Sequence, residues 1–231
     1  MRLPVHKQLN LSNRESALLL VDLQEEQRSD PNYYAHDFDQ ILANASLLLD
    51  AARSNAFHVA HAAYVRDFTI EPPRPFEATS SDGSPTFSDA AGDLTAICTE
   101  VAPIEEEQVF TKNDASAFRG TNLDRWLNEI GADWLIICGV WTEACIAATV
   151  RDAIAGGYRV LLVKDACGSG NNSMHETAVL NLANRLYGGG ICDTMRAATM
   201  MSGGAAYVWQ IVDPVPIRFD HETIPKLFAQ L

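Results

Sequence analysis

Three residues far apart in the chain, Asp22, Lys112 and Cys145, could together make a nucleophilic centre. A cysteine attacks as the thiolate, so it needs a group to take its proton and positive charge to steady the sulfur. An aspartate can do the first, and a lysine can hold that aspartate in place while supplying charge. Cys145 lies in the stretch Trp134 to Arg151, WLIICGVWTEACIAATVR. Its opening run, Leu135 to Cys138, is apolar and β-branched. Gly139 punctuates it, and from Thr142 the pattern turns helical, with Ile146, Val150 and Ile154 on one face. Thr142 can cap that helix, and Glu143 is an acid in its first turn. Cys145 is therefore expected in the first turn, where the positive end of the helix dipole favours thiolate over thiol.

Each residue also has a structural reading when taken alone. A cysteine in a helix is commonly packing, an aspartate after a strand can cap a helix, and a lysine at a strand end commonly sits in water. Their shared position raises the joint case, because each directly follows a strand-like run. Ser16–Val21 is continuously apolar, as in a central parallel strand buried on both faces. Residues 57–64, 108–110, 135–138, 158–163 and 191–192 read as further strands, and 36–55, 121–130, 174–186 and 193–201 as helices. This alternation implies a three-layer α-β-α, Rossmann-like fold with a mainly parallel sheet of five or six strands. Open sheets of this kind carry their sites at the carboxyl ends of the strands, where all three residues fall.

The whole chain, 1–231, reads as one domain. Met1 to Arg14 reads as a polar arm, residues 164–170 as a loop of small residues, and 205–231 as a C-terminal arm extended through Tyr207–Val212. Trp209, Pro214 and Pro216 are candidates for a subunit contact there. Residues 66–93, with four prolines and the aromatics Phe68, Phe76 and Phe87, read as a lid or subunit-contact loop. His58 and His61 are three residues apart on a strand and point to opposite faces, which suits packing better than a shared metal.

The 231 residues carry 47% hydrophobic and 20% charged side chains, ordinary for a globular protein. A formal charge of −13 argues against nucleic acid or an anionic membrane as partner and implies little beyond solubility. No run approaches the ~20 apolar residues of a membrane span, and no signal-peptide pattern is present. The five cysteines show neither CxxC nor zinc spacing, which suits a reducing, cytoplasmic setting. No GxGxxG or GxxxxGK[ST] motif occurs, and no cofactor is expected.

Three segments in order, ALLLVDLQ around Asp22, FTKNDASAF around Lys112 and CGVWTEACIAATVRDAIAGGYRVLLVKDACGS around Cys145, resemble the isochorismatase-like cysteine hydrolases. The resemblance runs from about Ser16 to Asp193. The similar group includes nicotinamidases and the N-carbamoylsarcosine, biuret, ureidoacrylate and maleamate amidohydrolases. It implies Asp22, Lys112 and Cys145 as a catalytic triad, a cis peptide at Val140–Trp141, and an oxyanion hole from the N–H groups of Trp141 and Cys145. It also implies a homo-oligomer, a dimer or tetramer. The implied activity is hydrolysis of a C–N bond in a small amide, ureide or carbamoyl compound through a thioester-type intermediate. Nicotinamidases carry an Asp-x-His plus His metal site after the second strand; Tyr64 to Thr69 lacks that spacing, so no metal is expected. Gln24, Phe68, Asn113, Phe118, Arg119 and Trp141 are the candidates for substrate binding. A pseudo-enzyme serving assembly or sensing, or a thiol redox or detoxifying relative, remains the alternative.

Overall fold

The computed structural model describes residues 5–211 and 217–231. Among the described residues eight strands form one sheet: β1 (Val5–Leu9), β2 (Ser16–Val21), β3 (His58–Tyr64), β4 (Gln108–Lys112), β5 (Trp134–Val140), β6 (Arg159–Gly168), β7 (Gly190–Cys192) and β8 (Ala206–Gln210). Their spatial order is β1-β8-β7-β6-β5-β2-β3-β4. The six strands from β2 to β7 are parallel, while β8 runs antiparallel to both β7 and β1. The helices are α1 (Glu26–Ser29), α2 (Phe38–Ser54), α3 (Leu123–Glu129), α4 (Ala147–Ala155), α5 (Asn172–Ala183), α6 (Thr194–Met201) and α7 (Ile224–Phe228). Among the described residues no helix is long and apolar enough to cross a membrane.

The two faces follow from the two-residue period of a strand. Ala17, Leu19 and Val21 of β2 and Leu135 and Ile137 of β5 pack with α3, α4, α5 and α7. Leu18 and Leu20, with Ile136 and Cys138, pack with α2 and α6. Both faces are covered, so these strands contain no polar alternation. His58 meets Trp126 of α3 edge-on, whereas His61 bonds Glu107 beside Arg53 of α2, so the two histidines do face opposite ways.

The sheet is wider than five or six strands because both expected arms join it. Val5 to Leu9 pairs residue for residue with Gln210 to Ala206. The chain beyond it is not a free arm either, since Leu227 of α7 and Leu231 are buried against the core. Pro214 and Pro216 lie outside the described residues. Strand β6 also continues to Gly168, through residues expected as a loop, because Cys167 and Gly168 stay paired with Gly139 and Val140.

The chain builds β2, β3 and β4 outward on one side, then returns to lay β5, β6 and β7 on the other. The topological switch lies between β2 and β5, and ligands in open α/β sheets bind in the crevice outside it. There the backbone is specialised. Asp22 follows β2 with φ 53°, the Val140–Trp141 peptide is cis as expected, and Gly139 has φ 125°. A Cβ on Gly139 would run into the Val21 carbonyl, so only glycine lets β5 approach β2 here. Gly139→Ala is expected to lower the unfolding free energy by at least about 2 kcal/mol, measured by urea titration. A loss within the scatter of surface mutations would show that the strands adjust freely.

Candidate active site

Asp22, Lys112 and Cys145 meet at this crevice. Lys112, the last residue of β4, is only 1% exposed, and its Nζ lies 2.8 Å from Asp22 Oδ2. The same ammonium donates to Cys145 Sγ at 3.3 Å and to the Asp114 carbonyl at 3.1 Å. Asp22 is 3% exposed, and neither of its buried oxygens accepts a well-aligned hydrogen bond. A carboxylate held this way keeps room to take a proton.

Burial pushes the Asp22 carboxyl above its usual range, against the pull of Lys112. Burial alone would lower Lys112, but Asp22 and Cys145 outweigh it and hold the ammonium above the ordinary lysine value. Cys145 departs from expectation. Burial, and then the neighbouring Asp22 carboxylate, push its thiol up, with Lys112 opposing. Burial and the carboxylate thus favour the thiol over the thiolate. The helix start also differs from a plain α-turn: Thr142–Ile146 is a π-turn ahead of α4. The Trp141 carbonyl accepts from the Ala144 and Ile146 N–H groups.

A polar layer supports this turn from behind. The Thr142 hydroxyl donates to the Gly168 carbonyl at 2.8 Å, and His175 Nδ1 lies 2.8 Å from the same hydroxyl oxygen. Ser169 donates to Glu143 at 2.6 Å. Trp141 donates from its indole to Gln27 at 2.7 Å and lies over Gly170, where a Cβ would press on its ring. These roles were invisible along the chain because α1, β6 with the turn after it, and α5 supply the partners.

The substrate-binding candidates separate. Gln24 is buried, and its amide is fully engaged: it donates to the Tyr64 and Thr95 carbonyls and accepts from the Tyr64 N–H. Asn113 donates to Glu71. Phe68 is half-buried beneath the Arg66 guanidinium. Phe118 packs on Tyr158, and Arg119 pairs with Asp152 at 3.0 Å, so α4 and the turn after it hold both. Residues 66–93 fold over the strand ends. Their Phe87 packs on Tyr64 and Tyr33, Arg74 pairs with Asp114, and buried Glu26 holds the Ser88 N–H and hydroxyl.

Elsewhere, Glu25, Cys98 and Glu100 bring three metal-type donors within 4.8 Å of one another. The Arg28 guanidinium already serves that group through Glu25 and Glu100, and burial pushes the Cys98 thiol up to about 12.

Two stability experiments check the scaffold. Gln24→Leu leaves three backbone groups without partners and is expected to cost about 2–4 kcal/mol. Urea unfolding that matched the parent protein would show those groups finding other partners. Burial lowers His175 to about 4, so its stabilisation is present above the ordinary histidine value and lost as pH falls from 6.5 toward 4. His175→Gln should flatten that acid-side slope by roughly 2–3 kcal/mol, read from urea midpoints across this range. An unchanged slope would assign the acid sensitivity to other groups.

Comparison with known proteins adds four findings. The family model described as isochorismatase domain matches residues 16–195. Maleamate amidohydrolase of Pseudomonas putida is 34% identical over 92 residues, covering 40% of this chain and 43% of that protein. N-carbamoylsarcosine amidase of an Arthrobacter species is 43% identical over 68 residues, covering 29% of this chain and 26% of its own length. The chain thus matches less than half of each amidase. A cysteine hydrolase structure from Pseudomonas syringae superposes with a TM-score of 0.75 at 18% identity, over 88% of this chain and 98% of that one.

Proposed function

The chain belongs to the isochorismatase family of hydrolases, and from that premise we propose that it is a cysteine-dependent amidohydrolase acting on a small amide, ureide or carbamoyl compound. The observation that carries this reading is the convergence of one buried carboxylate, one buried ammonium and one thiol at the switch point of the sheet. Asp22 takes the proton of Cys145, and the sulfur attacks the substrate carbonyl carbon. In this reading the N–H groups of Trp141 and Cys145 receive the oxyanion, each such donor being worth about 3 kcal/mol. Asp22 then hands its proton to the departing nitrogen, the C–N bond breaks, and ammonia or an amine leaves a thioester or thiocarbamate on Cys145. Water gives a proton to Asp22, attacks the same carbon and releases the acid, and the thiol is restored. Lys112 keeps the carboxylate in place throughout.

Arg66 is paired with Glu77, Arg74 with Asp114 and Arg119 with Asp152, so none of these guanidiniums is free for a substrate carboxylate. The two amidase relatives support the C–N reaction class.

The test is ammonia release from nicotinamide, biuret, maleamate, N-carbamoylsarcosine and ureidoacrylate, with Cys145→Ala and Asp22→Asn in parallel. Each variant is expected to lose about a thousandfold or more in kcat/KM while keeping the parent fold. A folded Cys145→Ala protein that still releases ammonia at the parent rate would sink the cysteine mechanism.

A further inference from the structure

We infer that Tyr64 is a positioning residue that holds the Lys112 ammonium against Asp22 and Cys145 with the face of its ring, and that Phe87 of the 66–93 segment, packed against that ring, fixes it in place. The activity part of this inference rests on the amidohydrolase reading; the geometry does not.

Strand order creates the need. Asp22 follows β2, Lys112 ends β4, and β3 lies between them. Neighbouring strands are about 4.8 Å apart, so the lysine must reach back roughly 10 Å to the carboxylate. Its path crosses the last residue of β3, which is Tyr64, the register partner of Lys112 itself. The ammonium donates to the Asp114 carbonyl and the Cys145 sulfur and is paired with the Asp22 carboxylate at 2.8 Å. The Tyr64 ring centre lies 4.0 Å from Nζ, with the ammonium over the ring. A cation taken out of water against the negative face of an aromatic ring is held there electrostatically, and more strongly than at the surface.

Tyr64 is itself fixed from several directions. Its phenol donates to the Asn113 carbonyl at 3.1 Å, and its backbone N–H and carbonyl both bond the Gln24 amide. Phe87 packs at 5.3 Å between ring centroids, with Tyr33 behind it at 5.1 Å. An aromatic column thus runs from the 66–93 segment to the reactive ammonium. The charged and titratable groups facing this site are Asp22 and Cys145 beside Lys112, and Arg66 beside Tyr64.

The protein has four lysines, which suits NMR of lysine labelled with ¹³C at Cε. Lys112→Arg assigns the signal. In the parent protein the Lys112 signal is expected upfield, under the ring, with a titration midpoint above ordinary lysine. Tyr64→Leu keeps apolar bulk but removes the ring. It should abolish the upfield shift, lower the proton affinity of Lys112 about tenfold, and cut kcat about tenfold with little change in KM. Tyr64→Phe, which loses only the phenol, should match the parent within about twofold. A folded Tyr64→Leu protein with an unmoved Lys112 signal and midpoint overturns the inference. So does Tyr64→Phe behaving like Tyr64→Leu, since that assigns the role to the hydroxyl. If Tyr64→Leu does not fold, Phe87→Leu should move the Lys112 signal in the same direction by less, and no movement counts against the inference. Absence of ammonia release from any amide would bring down the amidohydrolase reading, while the lysine signal would still decide the role of Tyr64.

Discussion

A lysine ammonium buried beneath the strand ends is the constraint that the rest of the site answers. A charge removed from water destabilises the fold unless a partner balances it, and even a good pair commonly contributes no more than an apolar replacement of the same shape. Lys112 meets this with the Asp22 carboxylate at 2.8 Å, a carbonyl and a sulfur. Bringing that carboxylate into place takes a left-handed residue after β2 and a glycine that lets β5 close against β2. Apolar side chains would fill the same space at lower risk to stability. The ion pair therefore makes better sense as chemistry than as a fastening.

The same burial explains why the nucleophile is quiet. The helix start argues for a thiolate, but it acts on a sulfur half removed from water and next to a carboxylate. Desolvation and like charge win, and the thiol keeps its proton until something takes it. Reactivity in this site is thus a transfer between neighbours rather than a standing charge. That arrangement is less exposed to stray oxidants than a permanent thiolate.

What the sequence disclosed depended on how local each signal was. Ser16–Val21 was legible because six residues without polar alternation can only be a strand covered on both faces. Asp22, Lys112 and Cys145 were legible because each stands at the end of a strand-like run, and the carboxyl ends of parallel strands share one edge. Val5–Leu9 was not: His6, Lys7 and Gln8 belong to an exposed edge and look like any polar arm. Tyr207, Val208 and Trp209 do alternate, but nothing along the chain names their partner strand. The π-turn was hidden too, because five residues are too few to separate its period from that of an α-helix. Tyr64 and Gln24 were out of reach for a different reason. Their roles come from the order β2-β3-β4 in space, which places β3 under the reach of a lysine from β4.

The antiparallel pairing of β1 with β8 bears on how the chain comes together in time. Val5–Leu9 leaves the ribosome first among these strands, yet its partner Ala206–Gln210 is some two hundred residues away. The six parallel strands can assemble around β2 and β5 without either of them. β1 must wait, its backbone groups without a strand partner, until β8 has settled beside β7. Its polar side chains keep a waiting strand in water and out of the pairings that an apolar edge would invite. The edge is a clasp, closed last, and the composition that made β1 look like a loose arm is what lets it stay loose until then.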